Sequence, residues 1–281
     1  MSKQFAWLHF GNLERMSRFL AISSQVACGH VGLSAIVPAI QAMGHEVIAL
    51  PTVILSNHPG HAHVAGERIA DGLLQSMVDA LSANGWLSGL DVMLTGYLPS
   101  ADHVAFAAAT IAKVKAASPQ VSFLCDPILG DEAEGLYLDA QAADEIRDKL
   151  LPLADIALPN RFELGWLTDR SIDSVEDAVG AAAVLPCSAA LVTSVPCAND
   201  QIANLLTNAS GTEICPHPQM RDVPKGTGDF LSGVFAADPD LARTTGRVTA
   251  LVEASVGRDH IAIAEARDSW LHAPPADITK L

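Results

Sequence analysis

At residues 222–235 the chain reads Asp222-Val-Pro-Lys-Gly-Thr-Gly-Asp-Phe-Leu-Ser-Gly-Val-Phe235, a glycine-rich loop followed by an apolar run. The apolar side chains at 230, 231, 234 and 235 have helical spacing, which predicts that a helix begins at about Gly226 or Thr227. The first N–H groups of a helix have no partners within the helix, and its dipole adds partial positive charge there. The loop is therefore predicted to bind an anion such as a phosphate group.

Asp229 is the candidate base beside this anion. Gly226 and Gly228 can adopt backbone angles that other residues avoid, so a bulky anion can come close. The Asp229 carboxylate could then accept a proton from an attacking hydroxyl, and its place at a helix start predicts a lowered pKa. We therefore predict phosphate transfer to an alcohol, with Gly226, Thr227, Gly228 and Asp229 as the catalytic segment. The alternative is that Asp229 only caps the helix.

Composition narrows the class of protein. Of the 281 residues, 49% are hydrophobic and 5% aromatic, which suits an α/β protein with closely packed helices. The net charge of −15 argues against a nucleic-acid partner, because phosphate backbones require a basic surface. The five cysteines are scattered without a C-x-x-C pair, which predicts reduced thiols and a cytoplasmic protein. No apolar run has membrane-spanning length, so no membrane association is predicted.

Two segments are predicted along the chain. Residues 1–18 lack the features of a signal peptide and are expected to form a flexible or lightly packed N-terminal extension. Residues 19–281 are expected to form one domain, since this length can bury a substantial core.

Strands and helices alternate in the predicted secondary structure. Strands are predicted at 19–24, 46–55 (as one strand or two around Pro51), 92–95, 121–125, 155–158 and 190–193, and helices at 33–43, 66–84, 101–117, 139–150, 161–167 and 175–185. Residues 202–207 and 212–215 predict a hairpin ahead of the glycine-rich loop. This order is typical of an α/β fold with a mainly parallel central sheet covered by helices on both faces.

Polar residues follow the predicted strands at their carboxyl ends. The residues in question are Ser24, Gly96-Tyr97, Asp126, Asn160 and Thr193-Ser194. Ligands of open parallel sheets bind outside these strand ends. We therefore expect these segments and the glycine-rich loop to form one site.

Two short segments that contain carboxylates could bind a metal ion. Asp126 and Asp131 lie in one tight loop, and hard oxygen ligands suit Mg²⁺. Asn160 and Glu163 are three residues apart on the first turn of a helix, where Glu163 could hold a metal through water. The alternative is that Asn160 and Glu163 form only a capping box.

Further polar segments have weaker interpretations. The hydroxyls of Thr193 and Ser194 could reach nucleotide phosphates, or could merely form a turn. The histidines at 58, 61 and 63 could suggest zinc, but no fourth ligand is evident, and substrate contact is the better interpretation. Residues 29–34 do not form a Walker A loop, because no Gly-Lys-Ser/Thr follows.

The order and spacing of these motifs resemble the pyridoxal kinases of the ribokinase-like superfamily over residues 19–281. The matching motifs are Ser24 with Gly29-x-Val-Gly32, Ser56-Asn-His58, Leu94-Thr-Gly-Tyr97, Cys125-Asp-Pro-Ile-Leu-Gly-Asp131, Pro159-Asn-x-Phe-Glu163, Thr193-Ser194 and Gly226-Thr-Gly-Asp229. The resemblance implies a three-layer α/β/α fold and a homodimer. It also implies a kinase that uses ATP and Mg²⁺, with a monovalent cation as a further candidate, to phosphorylate the 5′-hydroxymethyl group of pyridoxal.

The same resemblance assigns roles to residues. Asp229 would be the base, and the amides of 226–229 would stabilise charge on the transferred phosphoryl group. Ser24, His58 and Tyr97 would hold the pyridine ring, with Val31 in the same substrate pocket. By the same resemblance Asp126, Asn160, Glu163 and Thr193 would serve the metal and the phosphates. Ser194 and Gly228 are further candidates at the phosphates, and so is Lys225, although relatives often have an apolar residue at that position. For Lys225 the alternative is a solvated side chain.

Five residues depart from the family pattern, so the sequence does not decide which alcohol is the substrate. They are Gln25, Leu33, Pro59, Val64 and Leu158, at positions where relatives usually have polar or aromatic residues. A kinase for hydroxymethylpyrimidine would use the same anion loop with a different ring pocket. A non-catalytic protein that binds pyridoxal phosphate is the alternative of another class, although it could have lost Asp126, Glu163 and Asp229 freely.

Overall fold

The computed structural model describes residues 16–198 and 201–281. Its strands are β1 (Arg18–Val26), β2 (Glu46–Leu55), β3 (Gly66–Arg68), β4 (Val92–Thr95), β5 (Ser122–Cys125), β6 (Gly130–Asp131), β7 (Gly135–Leu136), β8 (Ile156–Ala157), β9 (Ala189–Cys197), β10 (Gln201–Asn208), β11 (Gly211–Pro218) and β12 (Thr279–Lys280). Its α-helices are α1 (Leu33–Ala42), α2 (Asp71–Ala83), α3 (Ala101–Ala117), α4 (Ala140–Glu145), α5 (Arg161–Thr168), α6 (Val175–Ala182), α7 (Thr227–Ala237), α8 (Leu241–Ser255) and α9 (Arg267–Leu271).

A ten-stranded sheet with the order β12-β11-β10-β9-β8-β5-β4-β1-β2-β3 organises the molecule. The neighbours from β2 through β1, β4, β5 and β8 to β9 are parallel. Antiparallel strands extend both edges: β3 beside β2, and β10 to β12 beyond β9. The predicted mainly parallel sheet is therefore confirmed, and the carboxyl ends of its parallel strands lie along one edge.

Helices cover both faces of this sheet, as the side chains of β1 show. Leu20 and Ile22 join one hydrophobic cluster with residues of α2 to α6, whereas Phe19 and Ala21 join another with residues of α1, α7 and α8. Successive side chains of a strand point to opposite faces, so a strand buried on both sides is apolar at every position. The three-layer α/β/α prediction is thus confirmed.

The predicted helix at 66–84 is wrong at its start. Residues 66–68 instead form β3, which pairs antiparallel with Val53–Leu55 of β2, and α2 begins at Asp71. The polar residues of β3 are exposed and have no strand periodicity, so only the neighbouring strand reveals them. Residues 46–55 form one strand through Pro51, which pairs with Ser23.

The boundaries of other helices and strands differ from the predicted ones where tertiary contacts outweigh the local sequence pattern. The predicted helix at 139–150 is α-helical only to Glu145 and continues as a π-helix over Ile146–Leu150. The predicted strand at 190–193 continues to Cys197, because β10 pairs along its whole length. Helices α8 and α9 were not assigned from the sequence. The predicted extension falls mostly on residues outside the described ranges, and its boundary at residue 18 stays a prediction.

None of the helices in the described ranges has both the length and the apolar character that crossing a membrane requires.

Candidate active site

A cavity of about 1080 Å³ lies at the carboxyl ends of the parallel strands. Of the residues that the sequence predicted for the site, Gly96, His61 and His63 do not line it, and the following do: Ser24, Val31, His58, Tyr97, Asp126, Asn160, Glu163, Thr193, Ser194, Lys225, Gly226, Thr227, Gly228 and Asp229. Segments separated by up to about two hundred residues of chain are therefore brought together as expected. Their individual roles stay predictions.

The anion loop, residues 226–229, begins helix α7. Gly226 is the N-cap with φ of 109°, and a Cβ at this position would lie 1.9 Å from the carbonyl oxygen of His30. Phe230, Val234 and Phe235 behind the loop are fully buried, and each such side chain contributes about 1.5–3 kcal/mol by burial. The core thus holds the N-terminus of α7 in place, with its first amides at the cavity wall.

Asp229 stands at this helix start, yet its pKa is raised rather than lowered. Burial raises the pKa of Asp229 to about 6, and the backbone N–H of Gly32 only partly opposes this. Its Oδ1 atom is buried and has no hydrogen-bond partner. The predicted lowering of the pKa was wrong, because desolvation outweighs the helix dipole. A carboxylate with an unused acceptor and a pKa near neutrality suits a general base.

Asp126 and Glu163 form a buried acidic pair beside Asp229. Burial, followed by the charge of Glu163, holds the pKa of Asp126 well above its usual range, while Ser232 Oγ donates to Asp126 Oδ2 at 2.6 Å. Burial raises the pKa of Glu163 to about 7, although backbone N–H groups oppose it. Burial and then the neighbouring carboxylates raise the pKa values of Asp126 and Glu163, so this cluster favours a cation.

Asn160 and Glu163 do form the capping box of the alternative interpretation. The Asn160 side chain accepts from the Glu163 N–H at 2.9 Å, and Glu163 Oε2 accepts from the Asn160 N–H at 2.8 Å. Glu163 Oε1 also accepts from the Leu129 N–H at 2.9 Å. Both Glu163 oxygens accept backbone hydrogen bonds, so fewer of their lone pairs remain for a metal ion.

Asp131 is not a free metal ligand. Its Oδ1 accepts from the backbone N–H groups of Ala133 and Glu134, and its Oδ2 accepts from Lys225 Nζ at 2.6 Å and from the Tyr137 hydroxyl. Burial alone would raise the pKa of Asp131, but these hydrogen bonds lower it to about 2. Lys225, which the alternative interpretation left solvated, is therefore paired.

The part of the cavity expected to hold the substrate ring contains His58 and Tyr97. The Gly60 N–H donates to His58 Nδ1 at 3.0 Å, which leaves the proton of a neutral imidazole on Nε2. Burial lowers the pKa of His58, so this neutral form predominates at pH 7. The Tyr97 hydroxyl donates to the Tyr137 carbonyl at 3.4 Å, which leaves its ring as an apolar surface. One donor beside an aromatic face suits a heteroaromatic substrate.

Only two of the departures from the family pattern reach this cavity. Pro59 and Leu158 line it, whereas Leu33 is buried in the core and Gln25 and Val64 are exposed outside the lining. The ring pocket therefore differs less from the family pattern than the sequence suggested.

Several site features were missed from the sequence. Thr193 and Ser194 form a β-bulge opposite Asn204, with Ser194 at φ of 61°. Ile128 has φ of 41°, which is unusual for a β-branched residue and typical of strained backbone at functional sites. The local sequence pattern indicates neither the bulge nor the positive φ of Ile128. The Ser232 hydroxyl, three residues after Asp229, had a signal in its helical spacing.

The histidine cluster does not assemble into a metal site. His61 and His63 are exposed and do not line the cavity. Among residues 16–198 and 201–281, no group of three or more His, Cys, Asp and Glu side chains is arranged to hold a metal ion. A metal here would need ligands from substrate phosphates or water.

The two glycines of the anion loop should respond differently to alanine. We expect Gly226→Ala to lower the Tm by about 3 °C or more, because its Cβ would collide with His30 and its φ is positive, a strain of about 1–3 kcal/mol. Gly228→Ala should leave the Tm unchanged, since a Cβ there meets no atom within 4 Å, but should raise the KM for ATP. Calorimetry and steady-state kinetics check both. Equal Tm values for the two variants would contradict the assigned loop geometry.

The chain matches the family model of phosphomethylpyrimidine kinase over residues 28–256. Pyridoxal kinase PdxY of Corynebacterium diphtheriae is 33% identical over 270 residues, which cover 90% of this chain and 95% of that protein. Pyridoxal kinase of Entamoeba histolytica has a similar structure, with a TM-score of 0.88 and 26% identity over 95% of this chain and 100% of that one. Pyridoxal kinase of Leishmania donovani, in complex with ADP and pyridoxamine, has a TM-score of 0.88 and 26% identity, over 94% of this chain and 99% of that chain.

These similarities extend along nearly the whole chain and agree with the order of motifs found in the sequence. The family model covers most of the residues, and one relative has identical residues at one third of the compared positions. Both findings rest on the sequence alone and not on the geometry of the cavity. The chain belongs to the pyridoxal kinase family of the ribokinase-like superfamily.

Proposed function

We propose that this protein transfers the terminal phosphoryl group of ATP to the 5′-hydroxymethyl group of pyridoxal, which yields pyridoxal 5′-phosphate for vitamin B6 salvage. The observation that carries the proposal is the Asp229 carboxylate, with one buried unpartnered oxygen, at the helix start that faces the cavity. Relatives named pyridoxal kinase, and a related structure that holds ADP with pyridoxamine, support the substrate class.

The residues divide the work as follows. Asp229 accepts the proton of the substrate hydroxyl as that oxygen attacks the terminal phosphorus of ATP. The amides of residues 226–229 stabilise the charge that develops on the phosphoryl oxygens. His58 donates from Nε2 to the substrate ring, and Ser24, Val31 and Tyr97 complete the ring pocket. Thr193 and Ser194, on the bulge of β9, offer hydroxyls to the nucleotide phosphates.

The acidic cluster fits Mg²⁺ as cofactor. Asp126 keeps acceptor capacity beyond its bond from Ser232, and burial, followed by the charge of Glu163, raises its pKa, which a bound cation would oppose. Asp126 would hold the ion with the ATP phosphates, and Glu163 would support it through water. Such an ion neutralises phosphate charge in the transition state. We expect EDTA to abolish activity and Mg²⁺ to restore it.

The decisive experiment compares substrates. Purified protein with ATP and Mg²⁺ is assayed on pyridoxal, pyridoxine, pyridoxamine and hydroxymethylpyrimidine, with product and ADP quantified. We expect the highest kcat/KM for pyridoxal. Failure of every substrate to stimulate ADP formation would overturn the kinase assignment and favour a binding protein.

Hydroxymethylpyrimidine phosphorylation is the second candidate function. The family model carries the description phosphomethylpyrimidine kinase, and Pro59 and Leu158 make the cavity less polar than the usual pyridoxal pattern. A higher kcat/KM for hydroxymethylpyrimidine than for pyridoxal would establish it.

The pH dependence should follow the base. Because Asp229 must be ionised to accept a proton, we expect kcat/KM for pyridoxal to be half-maximal at a pH of about 6 and to level off above it. Rates from pH 5 to 8 test this, and the Asp229→Ala variant should lack that limb. A wild-type profile that is flat across the range would contradict the raised pKa.

Assembly and location stay predictions. A homodimer and a requirement for a monovalent cation rest on the resemblance alone, and a cytoplasmic location rests on the cysteine pattern. Light scattering on the purified protein measures its mass, and assays with and without K⁺ measure the cation requirement.

A further inference from the structure

Lys225 directly precedes the anion loop and makes unusually many polar contacts for a partly exposed lysine. Its Nζ lies 2.6 Å from Asp131 Oδ2, 2.8 Å from Glu134 Oε1 and 3.4 Å from the Tyr137 hydroxyl. It also lies 5.6 Å from the centre of the Tyr137 ring, within the range of a cation–π contact. All three partners lie in or next to the β6–β7 hairpin.

This hairpin is separate from the main sheet and forms part of the cavity wall. Its base is fixed to the start of α5, because Glu163 accepts from the Leu129 N–H and Asn160 Nδ2 donates to the Gly130 carbonyl at 2.9 Å. Glu132 at its tip pairs with Arg161 of α5 at 3.6 Å. These contacts all tie the hairpin to one side of the cavity. Lys225 ties it to the other side, where the anion loop lies.

We propose that Lys225 is a positioning residue, whose ion pairs with Asp131 and Glu134 hold the β6–β7 hairpin against the anion loop and so close the phosphoryl-transfer end of the cavity to water. The inference rests on the proposed function for its consequence in catalysis, whereas the contact itself does not depend on it. We call Lys225, Asp131, Glu134 and Tyr137 the clasp.

The charges of the clasp support this role. Burial would lower the pKa of Lys225, but the hydrogen bonds to Asp131 and Glu134 raise it above its usual value. The pKa of Asp131 is lowered to about 2, so both groups stay charged throughout the working range of pH. An isolated surface ion pair contributes little, but a network on one hub stabilises more. Asp131 is this hub, since both of its oxygens accept two hydrogen bonds.

Closure matters because water competes with the substrate hydroxyl for the phosphoryl group. With the clasp intact, ATP consumption should equal formation of phosphorylated alcohol. With the clasp open, water can attack the terminal phosphorus, which yields ADP and inorganic phosphate without product. The ratio of ADP to product therefore reports on closure.

The test compares Lys225→Met, Lys225→Arg, Asp131→Asn, Glu134→Gln and the double variant Lys225→Met/Asp131→Asn. Lys113→Met is the matched control, because Lys113 pairs with Asp79 away from the cavity. Hydrogen exchange of residues 130–137 is measured on the ligand-free protein, and the KM for ATP and the ratio of ADP to product are measured in turnover. Hydrogen exchange needs no activity, so it tests the clasp even if pyridoxal is not the substrate.

We expect Lys225→Met and Asp131→Asn each to accelerate exchange in the hairpin by about fivefold or more, the equivalent of 1 kcal/mol. Both should raise the ratio of ADP to product, and the double variant should be no worse than either single variant. Glu134→Gln should give a weaker effect of the same sign, Lys225→Arg should recover part of the protection that Lys225→Met loses because it keeps the charge, and Lys113→Met should behave like the wild type.

Two results would overturn the inference. The first is unchanged exchange of residues 130–137 in Lys225→Met. The second is an opposite effect of the two single variants, in which Lys225→Met raises the KM for ATP while Asp131→Asn lowers it. That pattern would mean that Lys225 is a direct phosphate ligand and that Asp131 competes for it.

Discussion

Asp229→Ala should lower kcat by about 10²- to 10⁴-fold, the usual contribution of a general base. ATP binding should change little, because the anion-binding amides of 226–228 belong to the backbone. The Tm at pH 7 should not fall and should rise slightly. Its pKa is raised in the folded protein, so the ionised carboxylate is less favourable there than in the unfolded chain. That gain should shrink as the pH falls below about 6 and should vanish only below the unfolded pKa of 3.8, where the carboxyl is protonated in both states.

The matched control for this variant is Asp71→Ala. Asp71 also lies in the first turn of a helix, α2, but does not line the cavity. If Asp229 were only a capping residue, both variants would lose a little stability and neither would lose activity. Near-normal turnover of purified Asp229→Ala would therefore show that the assignment of the base is wrong.

Asp126→Asn should affect activity and stability in opposite directions. We expect kcat/KM to fall and the Mg²⁺ concentration for half-maximal activity to rise, each roughly 10- to 100-fold, as for other residues that support a bound metal. In the ligand-free protein the Tm at pH 7 should rise, because the variant removes a carboxyl whose ionised form is disfavoured by burial and by the charges of Glu163 and Asp229. Mg²⁺ titrations of activity and calorimetry without ligand measure the two effects.

Ser232→Ala is the graded control for Asp126→Asn. It removes the 2.6 Å hydrogen bond to Asp126 but keeps the carboxylate, so the requirement for Mg²⁺ should shift less. An unchanged Mg²⁺ dependence in Asp126→Asn would remove this residue from the metal site.

Much of the site could be predicted because its residues mark the ends of regular elements. Tyr97, Asp126 and Asn160 each follow an apolar strand, Ser24 lies near the end of β1, and parallel strands bring such residues to one edge. The anion loop could be predicted as well, since its glycines precede apolar residues with helical spacing. These inferences need only periodicity, strand order and backbone geometry.

Long-range contacts could not be predicted in the same way. The pairing of Lys225 with Asp131 joins residues 94 positions apart, and neither residue has a neighbour that indicates the other. The bulge at Ser194 requires β10 beside β9, and β3 exists only because β2 offers an edge. Such features depend on which surfaces meet after the chain has folded.

Asp229 shows most clearly what the sequence can predict and what depends on the tertiary structure. The sequence by itself determined that an aspartate follows two glycines at the start of a buried helix, and hence where a base and an anion site would lie. Only the tertiary structure decided its chemistry, because the solvent removed by the surrounding segments, and not the local helix dipole, raises its pKa to about 6. Helix starts are local, whereas desolvation depends on every element that packs around the group.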